Sequence, residues 1–339
     1  MKHMFDYNTA HLPPEFYGAA KDEVKLLTID RSRGMVSGSP FIGLRDFLRP
    51  GDLLVFNDSL MIPSSLNVFF TESGRRGKLN FGTSSVHGMM LCEPRPRNIG
   101  ELLSEREIAL TVPESTGVKL VKRHSLFHRY WWVEPADYFE FTSVMSKFGQ
   151  YIRYGHIPFD LPPETYDTVF SSLPGSVEFP SASRPFTQRV MQSLEKNGVR
   201  FATITLHCNL SSLESSEFEN ATRLLDEEYA VSRRTLEQIQ KTHEEGGRVL
   251  AVGTTVARAL ESCAISGRKP IHGRTDIYIT PGFRFGMIDG LITGLHEPDG
   301  SHVDMVSALV DDSTLLSAYS VAKEIGYSWH EFGDLSLIV

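Results

Sequence analysis

The tripeptide Gly253-Thr254-Thr255 follows the apolar run Val249-Leu250-Ala251-Val252 and opens a segment with helical spacing. A strand that turns through glycine into a helix leaves the first-turn N–H groups free. Together with the positive end of the helix dipole, they suit an anion. The two threonine hydroxyls could add hydrogen bonds, and Arg258, one turn along, could add a charge. A carboxylate or phosphate oxygen fits such a turn. The competing reading is simple N-capping by threonine, with Arg258 in solvent.

Two histidines also end apolar stretches. His207 closes Phe201-Ala202-Thr203-Ile204-Thr205-Leu206, and alternation puts it on the Thr203/Thr205 face. His296 lies in Gly290-Leu-Ile-Thr-Gly-Leu-His296. Either could act as a base near neutral pH, or be a structurally bonded histidine. The carboxylate candidates are Asp58, after Leu53-Leu54-Val55-Phe56-Asn57, and Asp276, in Gly273-Arg-Thr-Asp276. Each could instead be a turn-forming Asx residue. Ser181 and Ser183 sit between Pro180 and Pro185 without a Gly-x-Ser-x-Gly elbow, which argues against a serine hydrolase. No Gly-x-Gly-x-x-Gly or Walker-type loop occurs, so nicotinamide-cofactor and nucleoside-triphosphate readings lose ground.

The elements that must position these residues have three textures. Up to about Leu66, Pro50-Gly51-Asp52 turns into the continuous apolar run Leu53–Phe56, as in a strand buried on both faces. Residues 67–154 alternate short strand-like runs, such as Ile108–Val112 and His128–Val133, with turns, and read as a small all-β module. The exception is the helical spacing of Tyr138–Phe148. From about Gly155, strands and helices alternate. Helices are predicted over Phe186–Lys196, Arg234–His243, Thr254–Ser262 and Thr314–Ile325, and strands over Phe201–Leu206, Val249–Val252 and Leu291–Leu295. The expectation is an α/β fold: a barrel-like main domain of residues 1–66 and 155–339, interrupted by a smaller antiparallel β-barrel at 67–154. Four apolar strands end in polar residues, at Asn57-Asp58, His207, Gly253-Thr254-Thr255 and His296. Ligands of α/β folds bind beyond strand carboxyl ends, so these four ends are predicted to form one site.

Composition narrows the class. With 41% hydrophobic and 22% charged residues over 339 positions, the chain can bury a sizeable core. No apolar run approaches bilayer length, and Met1–Asp6 has no apolar stretch of signal type, so a cytoplasmic chain without membrane attachment is expected. The cysteines Cys92, Cys208 and Cys263 are scattered and odd in number, as reduced thiols are. No Cys-x-x-Cys or His-Glu-x-x-His spacing occurs, so no metal is expected. A formal charge of −8 does not advertise nucleic-acid binding, though a local basic face would suffice. Between Glu72 and Arg153 there are 12 Lys+Arg against 9 Asp+Glu, including Arg75, Arg76, Lys78, Lys119, Lys122, Arg123 and Arg129, near Trp131 and Trp132. That stretch is either such a face or a solvated strand surface over core tryptophans.

Taken in order, the motifs resemble one family, the S-adenosylmethionine:tRNA ribosyltransferase-isomerases of queuosine synthesis. The matching segments are Pro50-Gly-Asp-Leu-Leu-Val-Phe-Asn-Asp58 with Ile62-Pro63, Tyr166-Asp-Thr-Val-Phe170, Pro174-Gly-Ser-Val177, Thr205-Leu-His207, Gly247–Thr255, Arg258 and Leu260-Glu-Ser262. Thr275-Asp276, Pro281-Gly-Phe-Arg-Phe285, Asp289, His296, Pro298, Val306–Leu309 and Gly333-Asp334 continue the series. The resemblance implies S-adenosylmethionine as substrate. Its ribosyl part moves to a 7-aminomethyl-7-deazaguanine base in tRNA, with loss of adenine and methionine. It further implies a base that removes a proton next to the sulfonium and a donor that protonates the departing adenine, with His207 or His296 as base or acid and Asp58 the third catalytic candidate. Asn57, Ser181, Ser183, Glu227, Tyr229, Gly253, Thr254, Thr255, Arg258 and Asp276 are the implied binding residues.

The sequence also departs from the family. Pro-Thr-Ala-Gly-Leu-His-Phe-Thr reads Pro180-Ser-Ala-Ser-Arg-Pro-Phe-Thr187, so Pro185 replaces a histidine. Paired histidines appear as Thr222 and Leu225, and basic residues as Leu60, Ser65 and Asp299. Gly-Leu-Gly-Thr-Phe reads Asn209-Leu-Ser-Ser-Leu213. Lost cations weaken phosphate contacts, while the Gly-Thr-Thr turn is intact. Three expectations follow: S-adenosylmethionine cleavage with a small-molecule acceptor, the family reaction on tRNA, or binding of S-adenosylmethionine without catalysis.

Overall fold

The computed structural model describes residues 8–71, 73–96, 117–210, 222–296 and 301–339, and the backbone of 108–111. In chain order, β1 (Lys25–Asp30) and β2 (Met35–Pro40) form a hairpin ahead of β3 (Leu53–Asn57) and the short β4 (Ser59–Met61). Then come β5 (Ser65–Phe70), β6 (Arg75–Val86), β7 (Met89–Arg95), β8 (Ile108–Thr111), β9 (Gly117–Arg123), β10 (Trp131–Pro135) and α1 (Tyr138–Phe148). The next elements are β11 (Leu173–Ser176), α2 (Gln188–Lys196), β12 (Arg200–Leu206), β13 (Glu227–Val231) and α3 (Arg233–Glu244). Last are β14 (Val249–Val252), α4 (Thr254–Ile265), β15 (Ile271–Thr275), β16 (Gly290–Gly294), α5 (Ser301–Leu309), α6 (Asp312–Glu324) and β17 (Leu335–Ile338).

Nine strands make one mixed sheet in the order β15-β13-β12-β3-β14-β16-β17-β1-β2. Its middle, β12-β3-β14-β16, is parallel throughout. Both faces of these central strands are covered, which explains their unbroken apolar runs. Leu53, Val55, Val249 and Ala251 face the layer that includes α4 and α6. Leu54, Phe56, Leu250 and Val252 face the layer that includes α2. Phe56 stacks on Phe170 with centroids 3.8 Å apart and meets Phe186 edge-on at 4.8 Å.

The larger sheet does not close into a barrel among the described residues. β15 and β2 stand at its two edges and do not pair with each other, so among the described residues it is open. The reason lies in its edge pairings: the β1–β2 hairpin and the β13–β15 pair add antiparallel strands on the two sides of the parallel centre. Closure is found instead in β10-β7-β6-β5-β8-β9, an antiparallel barrel whose strands fall between β4 and α1 in the chain. Alternation sends Leu66, Val68 and Phe70 inward to meet Trp131 and Val133, and Phe141 and Val144 of α1 pack on the same cluster.

The tryptophan-rich basic stretch therefore has a core role for Trp131, which is 1% exposed, with Arg123 lying over its ring at 4.9 Å. Val112 lies outside the described residues. The three cysteines are free and buried, and among the described residues no helix is long and apolar enough to cross a membrane.

The turn Pro50-Gly51-Asp52 does more than reverse the chain. Asp52 is fully buried and accepts hydrogen bonds from the backbone N–H groups of Arg49, at 2.8 Å, and Arg248, at 3.0 Å. The Arg248 guanidinium closes on it at 2.6 Å, so one carboxylate ties the start of β3 to the start of β14. Asp52→Ala leaves the partners without an acceptor and is expected to cost about 3 kcal/mol of stability, read as a lower urea midpoint with an unchanged m value.

Candidate functional site

Because β12, β3, β14 and β16 are adjacent and parallel, their carboxyl ends gather on one edge of the sheet. A cleft of about 1200 Å³, including its open mouth, lies beyond three of them. Its floor is Gly253-Thr254-Thr255, after β14. Thr293–His296 at the end of β16 and Cys208 after β12 also line it, as do Tyr154, Glu178, Ser181, His302, His330 and Glu331.

The Gly-Thr-Thr turn has the geometry that an anion site needs. Gly253 is the N-cap of α4, at φ +99° and ψ 149°, and no side chain caps the helix. Thr254 and Thr255 are its first two helical residues, so threonine N-capping does not occur. Gly253 is required for its backbone: a β-carbon would meet nothing nearer than 3.7 Å, but that φ is reached almost only by glycine.

Arg258 is placed differently from the expectation. It forms a buried ion pair with Glu227, and both side chains are under 10% exposed. The other Glu227 oxygen accepts from the Asn209 N–H at 2.9 Å. The Asn209 amide nitrogen reaches Ser84 Oγ at 2.6 Å, and its carbonyl takes the Thr83 N–H at 3.0 Å. Arg258 thus lines the cleft as one end of a chain of contacts leading into the barrel strand β6. The same Arg258, Glu227, Thr254 and His302 also line a second, adjoining pocket of about 580 Å³, including its open mouth. That cavity is walled by Phe127, Tyr130, Leu224, Leu225, Tyr278 and Met305.

The two histidines separate. His296 lines the cleft, shares a 2.7 Å hydrogen bond through Nε2 with Thr293 Oγ1 and stacks on His302 at 4.5 Å. Burial, followed by the neighbouring His302 and His330, holds His296 well below the ordinary histidine range, so its ring is neutral at pH 7. His207 is not among the cleft residues. Its Nδ1 shares a 2.7 Å hydrogen bond with Ser59 Oγ, which bonds on to Ser176 Oγ at 2.6 Å. Gly175 lies so close that a β-carbon there would come within 2.5 Å of the ring. Burial lowers the His207 pKa, with Glu228 and Asp58 opposing.

Asp58 lies on the His207 side and accepts from Thr205 Oγ1 at 2.7 Å. Burial raises its pKa against the hydrogen bonds of Thr205 and Thr203. Asn57 is fully buried and spends its amide on the Leu206 backbone and Thr255 Oγ1. Tyr229 is packed in the core beneath α4. Asp276 is half-buried and pairs with Arg223 at 3.5 Å. Ser183 is fully buried beside Ser181 and does not line the cleft. Arg184 is turned inside, bonding Glu15 at 2.5 Å and lying over Phe332, so it does not replace the histidine lost at Pro185. Pro298 and Asp299 lie outside the described residues.

Sequence reasoning missed Glu178, Tyr154, Cys208, His302, His330 and Glu331. One signal was available: the alternation that sends His207 to the Thr203/Thr205 face sends Cys208 to the opposite face, where the cleft lies.

An open three-layer α/β sheet, an antiparallel barrel and a polar cleft at the strand ends define the class. The family model described as "Queuosine biosynthesis protein" matches residues 4–338, and the chain belongs to that family. It is 31% identical over 366 residues to the S-adenosylmethionine:tRNA ribosyltransferase-isomerase of Carboxydothermus hydrogenoformans, covering 99% of this chain and 98% of that protein. It is 32% identical over 345 residues to the protein of that name from Halothermothrix orenii, with the same two coverages. The crystal structure of S-adenosylmethionine tRNA ribosyltransferase from Thermotoga maritima shares the fold, with a TM-score of 0.54 at 23% identity and 99% of each chain covered.

Two outcomes test the site geometry. Gly253→Ala is expected to cost about 1–3 kcal/mol through backbone strain alone, seen as a lower melting temperature. His302 is held at about 4 by burial and then by Arg258, against Glu331. An unfolded chain binds that proton at its ordinary pKa of 6.5, so stability falls as pH drops from about 6.5 toward 4. The loss is up to about 3 kcal/mol, less where cleft water screens the ring. His302→Gln is expected to flatten this part of the stability–pH curve measured by urea unfolding.

Proposed function

We propose that the chain is an enzyme that binds S-adenosylmethionine in this cleft and transfers its ribosyl part to a base in tRNA, the acceptor named for its relatives. The observation that carries the reading is the uncapped N-terminus of α4 at Gly253, in a cleft whose lining also bears Glu178. A sulfonium nucleoside with an amino-acid tail has one anionic group and two cationic ones. The helix end suits its carboxylate, and the carboxylate-bearing wall suits the sulfonium and the amine.

Within that reading, His296 is the base. It is neutral at working pH, one ring nitrogen is held by Thr293, and the other is left to take a proton from the carbon beside the sulfonium. Thr254, Thr255 and Ser181 bind the substrate, and Arg258 positions Glu227 rather than acting as a free anchor. His207, Asp58 and Asn57 hold the strand ends in place. A tRNA acceptor assigns the work to the cytoplasm.

A second reading, a small-molecule acceptor, is favoured by the adjoining cavity. Leu225 stands there where the family carries a histidine, and its other walls include Phe127, Tyr130, Leu224 and Met305. Arg129 and Arg258 line the same space, so its apolar side walls rather than its charge favour a flat acceptor.

Incubation with S-adenosylmethionine, with and without precursor-bearing tRNA, separates the two by following adenine and methionine. Release that requires tRNA is expected. Release without RNA moves the assignment to the small acceptor, and no binding in calorimetry removes both. His296→Ala is expected to lower adenine release about 10²–10⁴-fold, whereas His207→Ala keeps the rate within about tenfold.

A further inference from the structure

Three residues distant in sequence meet at the rim of the cleft. His156 lies in the loop after α1, and His330 and Glu331 lie in the turn before β17. One nitrogen of each imidazole and one oxygen of the carboxylate all fall within 4.8 Å of one another. The two imidazoles are stacked, with centroids 4.5 Å apart and planes inclined by 22°. Tyr154 stacks on the other side of His156 at 5.9 Å and 19°, which fixes the ring's plane.

The contact between His156 and Glu331 has an unusual geometry. Nε2 of His156 and Oε2 of Glu331 are 3.1 Å apart, and both atoms are buried. Neither makes a hydrogen bond among the described residues, to each other or elsewhere. Two buried polar atoms at that distance without a hydrogen bond are left with unused lone pairs. Two ligand atoms about 2.0–2.1 Å from a tetrahedral zinc ion stand about 3.3 Å apart, close to the spacing seen. His330 is in the left-handed region, at φ +75°. A non-glycine residue rarely adopts this conformation, and it concentrates at functional sites.

We propose that His156, His330 and Glu331 bind one divalent transition-metal ion of the zinc type, with a fourth position open to the cleft. Two imidazoles and a carboxylate are a donor set for a borderline ion. Three protein ligands leave one place for water or for an oxygen or amine of a bound substrate. His330 and Glu331 line the same cleft as Thr254 and His296, so that fourth ligand faces the substrate space. The expectation from sequence that no metal binds is thereby revised. No short-range spacing announces the site, because its ligands come from two loops far apart in the chain.

Metal binding is read without substrate, so its outcome is separate from that of the reaction proposed above. The full chain, stripped with chelator, is titrated with Zn²⁺ against a chromophoric competitor and with Co²⁺ while visible absorbance is followed. One ion per chain and tetrahedral Co²⁺ bands are expected. His330→Asn keeps a residue that tolerates the left-handed backbone but removes the imidazole, and Glu331→Gln keeps the shape but removes the charge. Each is expected to weaken Zn²⁺ binding at least about tenfold, and the double variant to lose the Co²⁺ bands. His272→Ala, whose ring pairs with Glu228 elsewhere, is expected to change neither. Circular dichroism of the metal-free variants checks their fold. Wild-type protein without tetrahedral bands, or a folded double variant that binds Zn²⁺ as tightly as wild type, overturns the proposal.

Discussion

Past the pair Ile204–Asn57, strands β12 and β3 stop pairing, and a side chain takes over from the ladder. The Asn57 amide donates to the Leu206 carbonyl at 2.9 Å and accepts from the Leu206 N–H at 3.0 Å, as a neighbouring strand would. The same carbonyl oxygen takes the Ser59 N–H, and the same nitrogen reaches Thr255 Oγ1 at 3.3 Å. One fully buried amide therefore joins β3, β12, β4 and the first turn of α4. Burying so many polar groups is tolerable only because each is paired. The open helix end at the cleft rests on this joint.

Around it, charge is divided by position. Arg258 is neutralised by Glu227 within the wall between the two cavities, and its partner chain through Asn209 runs into the barrel. Gly82 is part of that arrangement: a β-carbon there would meet the Asn209 carbonyl oxygen at 2.3 Å. The barrel thus approaches the main sheet through a glycine at the point where the cleft is walled. The remaining cleft charges, Glu178 and Glu331, lie among histidines, of which burial keeps His296 and His302 neutral. The helix end supplies a positive field, and Glu178 places a negative charge in the same cleft.

Periodicity made much of the main sheet legible. The apolar runs Leu53–Phe56 and Val249–Val252 are strands buried on both faces, and the four helices expected after Gly155 all occur within a few residues of their expected ends. Edge elements were less visible. β2 is largely exposed and carries little apolar signal. Whether the sheet closes was not legible, because strand order depends on long-range pairing, which a local pattern does not contain.

For the site, the chain on its own determined that a buried strand turns through Gly253 into a helix, and left open whether a threonine caps that helix. The strand and the turn follow from local rules: a continuous apolar run buries a strand, and glycine admits a backbone that other residues resist. Only the tertiary structure decided which histidine faces the cleft, that Arg258 is bound to Glu227, and that His156 meets His330 and Glu331. Those outcomes depend on which loops converge over the sheet. Residues more than a hundred positions apart become neighbours through packing, and no spacing along the chain encodes that meeting.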